Sequence, residues 1–572
     1  MILWQLKPSM KNRTAVLGVA LWCLGLGLVL VGCLDQGGNG STYKGPLLRY
    51  HFAGRSHLPP ATNALVYRVV DALPATAELR ADLARKLSSG SMALWRRDLP
   101  AGATNVAGLL APLFEDLQET ESLVEVRGPL GRTETVVACE LGEDRAQLWD
   151  NRLRTVVGAW QFGAPRENNF EGFRGWEARR AQSPNTVQFF RAGRWVLVGL
   201  GQDGVPQLSA MLKQIKGGGR PVKGLTGPFL EWSADLPALR PWFPALARYP
   251  LPALVTSVAG RGDSIRTEMR MHYSTAIPWQ PEPWRIPTNV IYEPITSFTA
   301  GQGIAPLYKA FTRGYDLGMG SVPNQFCAWG ARHPQCRTFF SVPTATDSSN
   351  LILTVGQNLP KFLLDTVTNA QGDFYFVSNR SEVVWAGLQW MVPVLHPDRN
   401  GKDNFLVGGN FPLAAKGQLA PEELFSQLRG RPSLMYYDWE ITQERIVHAR
   451  QLYQLFCLAT GRFAPADDSP MQKWMAEVGP HLTNTVTEIT RVGPQELSLV
   501  RKSHIGLTGF ELASLAIWLD SPGFPFDISL PSLIPAKVRA TNAKRRGLTI
   551  TNQPVARPVG AAATNRPAPP KR

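Results

Sequence analysis

The chain has 572 residues, of which 44% are hydrophobic and 18% charged, with a formal net charge of +15. That length exceeds one small core, and that apolar share excludes a wholly disordered or collagen-like chain. The charge sits at the ends: residues 1–13 carry +3 and residues 537–572 carry +9, which leaves 14–536 at only +3 and gives no ground for a nucleic-acid-binding body.

The first stretch with a physical meaning is Ala15 to Cys33, which holds no charged residue. Lys7, Lys11 and Arg13 precede it, and the polar run Asp35 to Ser41 follows. About 20 apolar residues span a bilayer core, so this stretch predicts a membrane anchor. Within it, Leu30-Val31-Gly32-Cys33 resembles the bacterial lipobox, a small-residue cleavage site that ends in Cys. The resemblance implies lipidation of Cys33 and loss of residues 1–32 from the mature chain. An uncleaved anchor and an ordinary cleaved secretory signal stay open beside it. The first two readings keep the basic residues in the cytoplasm and the body outside, which points to the bacterial cell envelope and to the membrane as a partner of the N-terminus.

Residues 34–58 read as a tether, and 59–277 as an N-terminal domain. Thr76 has the chemistry of a helix cap, Leu79, Leu83 and Leu87 recur every four residues, and Gly90 marks the expected stop. A pattern then recurs. Leu123 to Val126 and Thr133 to Glu140 predict a hairpin, followed by a helix over 143–160. Asn185 to Phe190 and Arg194 to Leu200 predict a second, followed by a helix over 205–215. Asn484 to Ile489 and Glu496 to Arg501 predict a third, followed by a helix over 509–519. A hairpin cannot bury its apolar face alone, so each helix is expected to cover its hairpin. The fold class is therefore α+β, with antiparallel sheets, in two domains. Residues 278–287 hold four prolines and read as the linker. Residues 288–536 form the expected C-terminal domain, with a helix over 421–428. Residues 537–572 read as a disordered basic tail.

Chemistry is sparse. Cys327 and Cys336 enclose eight residues, which outside the cytoplasm suggests a local disulfide; two separate thiols are the alternative. Gly199-Leu200-Gly201-Gln202-Asp203-Gly204 fits GxGxxG, but no acidic residue follows about 20 positions on, and a plain turn is expected. Asp398 to Asp403 has a calcium-loop look without the required Gly and Glu, and also reads as a turn. Tyr436-Tyr437-Asp438-Trp439-Glu440 resembles the end of the chitinase-like signature, which implies Glu440 as the acid and Asp438 as its assistant. The bland reading is a strand with an exposed acidic face. The seventeen Trp, among them Trp149, Trp195, Trp232, Trp329, Trp385, Trp439 and Trp518, fit core packing better than sugar stacking. No cofactor and no metal is expected. The sequence points to a non-enzymatic envelope protein that binds or scaffolds, with the basic tail on anionic envelope polymers or lipids. A glycan-directed hydrolase and a lipoprotein assembly factor are the alternatives.

Overall fold

The structure is a computed structural model that describes residues 46–95, 106–128, 132–179, 185–202, 205–239, 251–279, 281–312, 314–332, 337–366, 373–387, 391–413, 417–460, 468–521, 524 and 548–551. The lipobox-like stretch, the polar run after it, Cys336, Asp203, Gly204 and all of the basic tail except 548–551 lie outside these residues. The chain divides into two compact units. The first comprises Met1–Glu282, Gly430–Ala449 and Pro465–Leu530; the second comprises Pro283–Arg429, Arg450–Ala464 and Pro531–Arg572.

In chain order the first unit starts with β1 (Pro46–Phe52), α1 (Ala61–Ala72), α2 (Pro74–Trp95), α3 (Ala107–Glu119), β2 (Ser122–Arg127), β3 (Glu134–Glu140) and α4 (Glu143–Ala159). It continues with β4 (Arg166–Phe170), β5 (Phe173–Arg179), β6 (Asn185–Ala192), β7 (Trp195–Gln202), α5 (Pro206–Lys216), β8 (Leu230–Asp235), α6 (Leu236–Leu239), β9 (Ala253–Arg261) and β10 (Ser264–His272). The second unit supplies β11 (Ile295–Gln302), α7 (Ala305–Thr312), β12 (Gln325–Ala331), β13 (Arg337–Thr344), α8 (Ser348–Thr366), β14 (Asp373–Val377), β15 (Glu382–Ala386), β16 (Val394–Asn400), β17 (Asp403–Gly409) and α9 (Glu422–Ser426). Then come β18 (Leu434–Ile441), α10 (Thr442–Thr460), α11 (Pro470–Val478), β19 (Asn484–Gly493), β20 (Glu496–Ser503), α12 (Gly509–Leu519) and β21 (Leu548–Thr551).

The fold is α+β with antiparallel pairing dominant. In the first unit the strands run in the order β4-β5-β6-β7-β3-β2-β1-β8-β9-β10-β20-β19-β18, each pair antiparallel. Strands β2 and β3 are apolar on both faces because both faces are covered. Val124, Val126 and Val137 enter the main core with Phe114 of α3, Trp149 of α4, Trp474 of α11 and Leu512 of α12. Leu123, Val136 and Ala138 point the other way, onto Leu208, Met211 and Leu212 of α5.

Four sequence expectations are corrected here. Residues 34–58 are not all tether: β1 is largely buried and pairs with β2 on one side and β8 on the other, since its alternating apolar residues supply a central strand. The segment 288–536 is not one domain: β18 to β20, α11 and α12 belong to the first unit, because β20 pairs with β10 along its length, from Ile265↔Ser503 to His272↔Glu496. Helix α2 begins at Pro74, so Thr76 is not its cap, and it runs past Gly90, which is buried within it; tertiary packing outweighs the propensity cost of one glycine. Thr76 instead accepts a hydrogen bond from the indole N–H of Trp474 at 2.9 Å.

In the second unit the order is β21-β14-β15-β16-β17-β13-β12-β11. Helix α8 packs Ile352 and Val355 against Phe374, Val383, Leu395 and Leu406. The former calcium-loop candidate is the turn between β16 and β17, where Asn400 opposes Asp403. The terminal pairing is the exception: β21 lies parallel to β14, with Phe374↔Leu548 through Val377↔Thr551. Residues 537–572 are therefore not a uniformly disordered tail. Leu548-Thr549-Ile550-Thr551 alternates aliphatic residues with Thr, and three of the four are β-branched, which suits a short edge strand.

Candidate functional site: a buried carboxylate–guanidinium cluster

Strand β18 turns Tyr436, Asp438 and Glu440 to one side, because alternate residues of a strand share a face. That face is covered: Asp438 is 2% exposed and Glu440 0% exposed. An exposed acidic face, the bland sequence expectation, is thus overturned. Thr487 opposes Asp438 and Thr485 opposes Glu440 across β19. Arg501 of β20 opposes Thr487, and Thr267 of β10 opposes Arg501. Four strands therefore line up Asp438, Thr487, Arg501 and Thr267 in one row.

Two helix starts close over this row. From α10, Arg445 reaches Asp438 Oδ1 and Glu440 Oε2, each at 3.6 Å. Thr442, at the head of the same helix, shares a 2.7 Å hydroxyl hydrogen bond with Thr485. From α12, the Gly509 N–H donates to Glu440 Oε1 at 2.6 Å. Thr508 and Glu511 form a capping box, in which Thr508 Oγ1 accepts from the Glu511 N–H at 3.2 Å and Glu511 Oε2 accepts from the Thr508 N–H at 2.9 Å. Arg501 then ties this cap to the sheet. Its Nη1 and Nη2 donate to Glu511 Oε2 and Oε1 at 2.7 and 2.9 Å, and its Nε donates to Thr487 Oγ1 at 2.9 Å.

The electrostatics follow from counting. Asp438, Glu440 and Glu511 are three carboxylates; Arg445 and Arg501 are two guanidiniums. Burial, then the Asp438 charge, push Glu440 up to about 7, against the pull of Arg445. Glu440 Oε2 is buried and accepts no hydrogen bond.

The remaining sequence candidates are placed elsewhere. Cys327 is a buried free thiol, pushed up to about 12 by burial despite a hydrogen bond to Ser341. Its expected partner Cys336 and the lipidation candidate Cys33 fall outside the described residues. Gly199 sits in β7, between β6 and β3, where a Cβ would come within 2.7 Å of Val205 and Leu208. This glycine therefore serves helix packing, not a phosphate. Trp149, Trp195, Trp329 and Trp518 are buried, whereas Trp232, Trp385 and Trp439 are only half-buried. Among the described residues, no group of three His, Cys, Asp or Glu side chains is gathered to hold a metal ion, and no helix is long and apolar enough to cross a membrane. Arg445, Arg501, Gly509 and Glu511 were not singled out from the sequence. The Thr508-x-x-Glu511 spacing was a legible signal for one of them.

Set beside protein-family models, curated proteins and solved structures, the chain matches none.

Proposed function

We propose that the protein is a membrane-anchored envelope protein that binds or scaffolds, held at its N-terminus and reaching anionic envelope polymers or lipid headgroups through its basic C-terminal residues. The observation that carries this reading is the segregation of charge. Residues 537–572 hold nine Lys and Arg and no acid, the body is nearly balanced, and the apolar stretch lies at the other end. Clustered cations near an anionic surface contribute about 1 kcal/mol each, in a salt-dependent way. A two-domain body with hairpin-covering helices belongs to this reading as the scaffold.

A direct test uses a chain that starts at residue 34, with the nine basic residues either intact or all replaced by Gln, which keeps the length and the β21 segment. The intact chain is expected to sediment with anionic vesicles at low salt and to be released at high salt, and the Gln variant to stay in solution. Equal sedimentation of both chains sinks the reading. For the anchor, Cys33→Ala is expected to abolish metabolic lipid labelling of the full chain. A wild-type chain that is membrane-bound but never labelled favours the uncleaved anchor.

One observation favours the hydrolase alternative: a carboxyl group that holds its proton near neutral pH suits a general acid. Against it, Glu440 is fully buried and engaged by Gly509 and Arg445, so a substrate oxygen has no approach to it. Turnover of an envelope glycan that is lost in Glu440→Gln and kept in the folded Cys327→Ser control would move the assignment to the hydrolase.

A further inference from the structure

Glu440 touches both helix starts that close over the first unit's sheet. Its Oε1 accepts from the Gly509 N–H at the head of α12, and its Oε2 faces Arg445 from the first turn of α10. The two helix starts also meet each other directly. A Cβ added to Gly509 would lie 2.7 Å from the Thr442 carbonyl oxygen, 2.8 Å from Arg445 Cβ and 3.0 Å from the Ile446 nitrogen. Loosening one start therefore disturbs the other.

The groups that face Glu440 do not neutralise it. Its own strand presents Asp438, with Tyr436 next along the same face; α10 presents Arg445; α12 presents Glu511; β19 opposes it with the uncharged Thr485. Arg501 of β20 is already bridged to both oxygens of Glu511. Among these described groups, Asp438 and Glu511 oppose a charge on Glu440 and Arg445 favours it, and a proton on Glu440 relieves the opposition. Glu440 Oε2 is where that proton fits, since this oxygen is buried and accepts no hydrogen bond. An ionised oxygen left so is costly, whereas a protonated one becomes a donor.

We infer that the cluster is a proton-operated latch: a proton on Glu440 locks the first turns of α10 and α12 onto β18, and its loss loosens both. The sign follows from the direction of the shift. Burial raises Glu440 to about 7 in the folded protein, from an ordinary value of 4.5. Between those two values the folded state binds the extra proton, so the attachment weakens as pH rises through this window and levels off above it.

Amide hydrogen exchange on the full chain, corrected for the chemical exchange rate, tests the latch. Opening of the first turns of α10 and α12 is expected to increase about tenfold between pH 6 and pH 8 in the wild type, the change that a native pKa near 7 imposes. In Glu440→Gln, whose amide oxygen still accepts from Gly509, the two pH values are expected to give equal opening. Wild-type opening that ignores pH, or a Gln variant that keeps the tenfold change, overturns the inference. If Glu440→Gln fails to fold, the wild type alone decides by infrared titration of its protonated carboxyl band. A band lost with a midpoint near neutral pH supports the latch, and a chain with no carboxyl titrating above the ordinary Glu range overturns it.

Discussion

Replacing Arg501 by alanine is expected to destabilise the first unit by about 3 kcal/mol, the usual scale for removing one partner of a buried ion pair. The side chain is 8% exposed and joins three segments: Thr487 of β19, the Gly506 carbonyl at 3.0 Å, and both oxygens of Glu511. Without it, the capping box of α12 loses its tie to the sheet. Glu511 then loses the guanidinium that bridges it, while Arg445 still faces Asp438 and Glu440. The loss is therefore expected to be larger at pH 8 than at pH 6, since the remaining charges oppose one another more once Glu440 ionises. Thermal unfolding of the full chain at both pH values, followed through the transition that α12 reports, checks this. Arg501→Lys should recover only part of the loss, because an ammonium cannot bridge two carboxylate oxygens in the planar fork a guanidinium presents. Equal midpoints for the wild type and Arg501→Ala would show that the pairing contributes nothing.

The second large effect is expected at Gly509. Here the reason for glycine is proximity, not backbone freedom. The three atoms nearest an added Cβ include backbone of α10, which cannot swing aside as a side chain can. Gly509→Ala must therefore push α12 away from α10 and lengthen the Gly509–Glu440 hydrogen bond. A cost of about 2–3 kcal/mol is expected, at the upper end of what overpacking imposes. Gly158 in α4 is the matched control, since nothing lies within 4 Å of its added Cβ. Gly158→Ala is expected to stabilise by about 0.5–1 kcal/mol through helix propensity alone. The two substitutions are chemically identical, so opposite signs in one denaturation series would isolate the close approach as the cause.

Much of the local structure was legible because it is written in short-range patterns. The hairpin over β6 and β7 starts at Asn185 as expected, and α12 runs from Gly509 to Leu519 as its apolar run implied. Strand β18 was legible from alternation, and with it the shared face of Asp438 and Glu440. What covers that face was not. Arg445 and Gly509 reach Glu440 from positions 5 and 69 residues away, and only the packing of two helix starts brings them together. An acidic strand face with no visible partner in the sequence reads as solvated, and here that reading was wrong. The domain layout failed for a related reason. A proline-rich stretch such as 278–287 signals where regular structure stops, but carries no information on which sheet a later strand rejoins. Nothing near β20 in the sequence announces β10.

The pairing of β10 with β20 has a consequence for how the chain acquires its shape. Ile265 meets Ser503 only after the intervening 237 residues have been made, including nearly all of the second unit up to that point. At elongation rates of about 5–20 residues per second, β10 waits roughly 10–50 s for its neighbour. During that interval its outer edge offers an open row of N–H and C=O groups, a template on which another nascent chain can pair. Contacts of such sequence separation also slow folding, because a long loop must close before they form. The edge carries its own protection. Arg266, Glu268 and Arg270 interrupt the apolar residues of β10 with charge, as strands that must stay open without aggregating require.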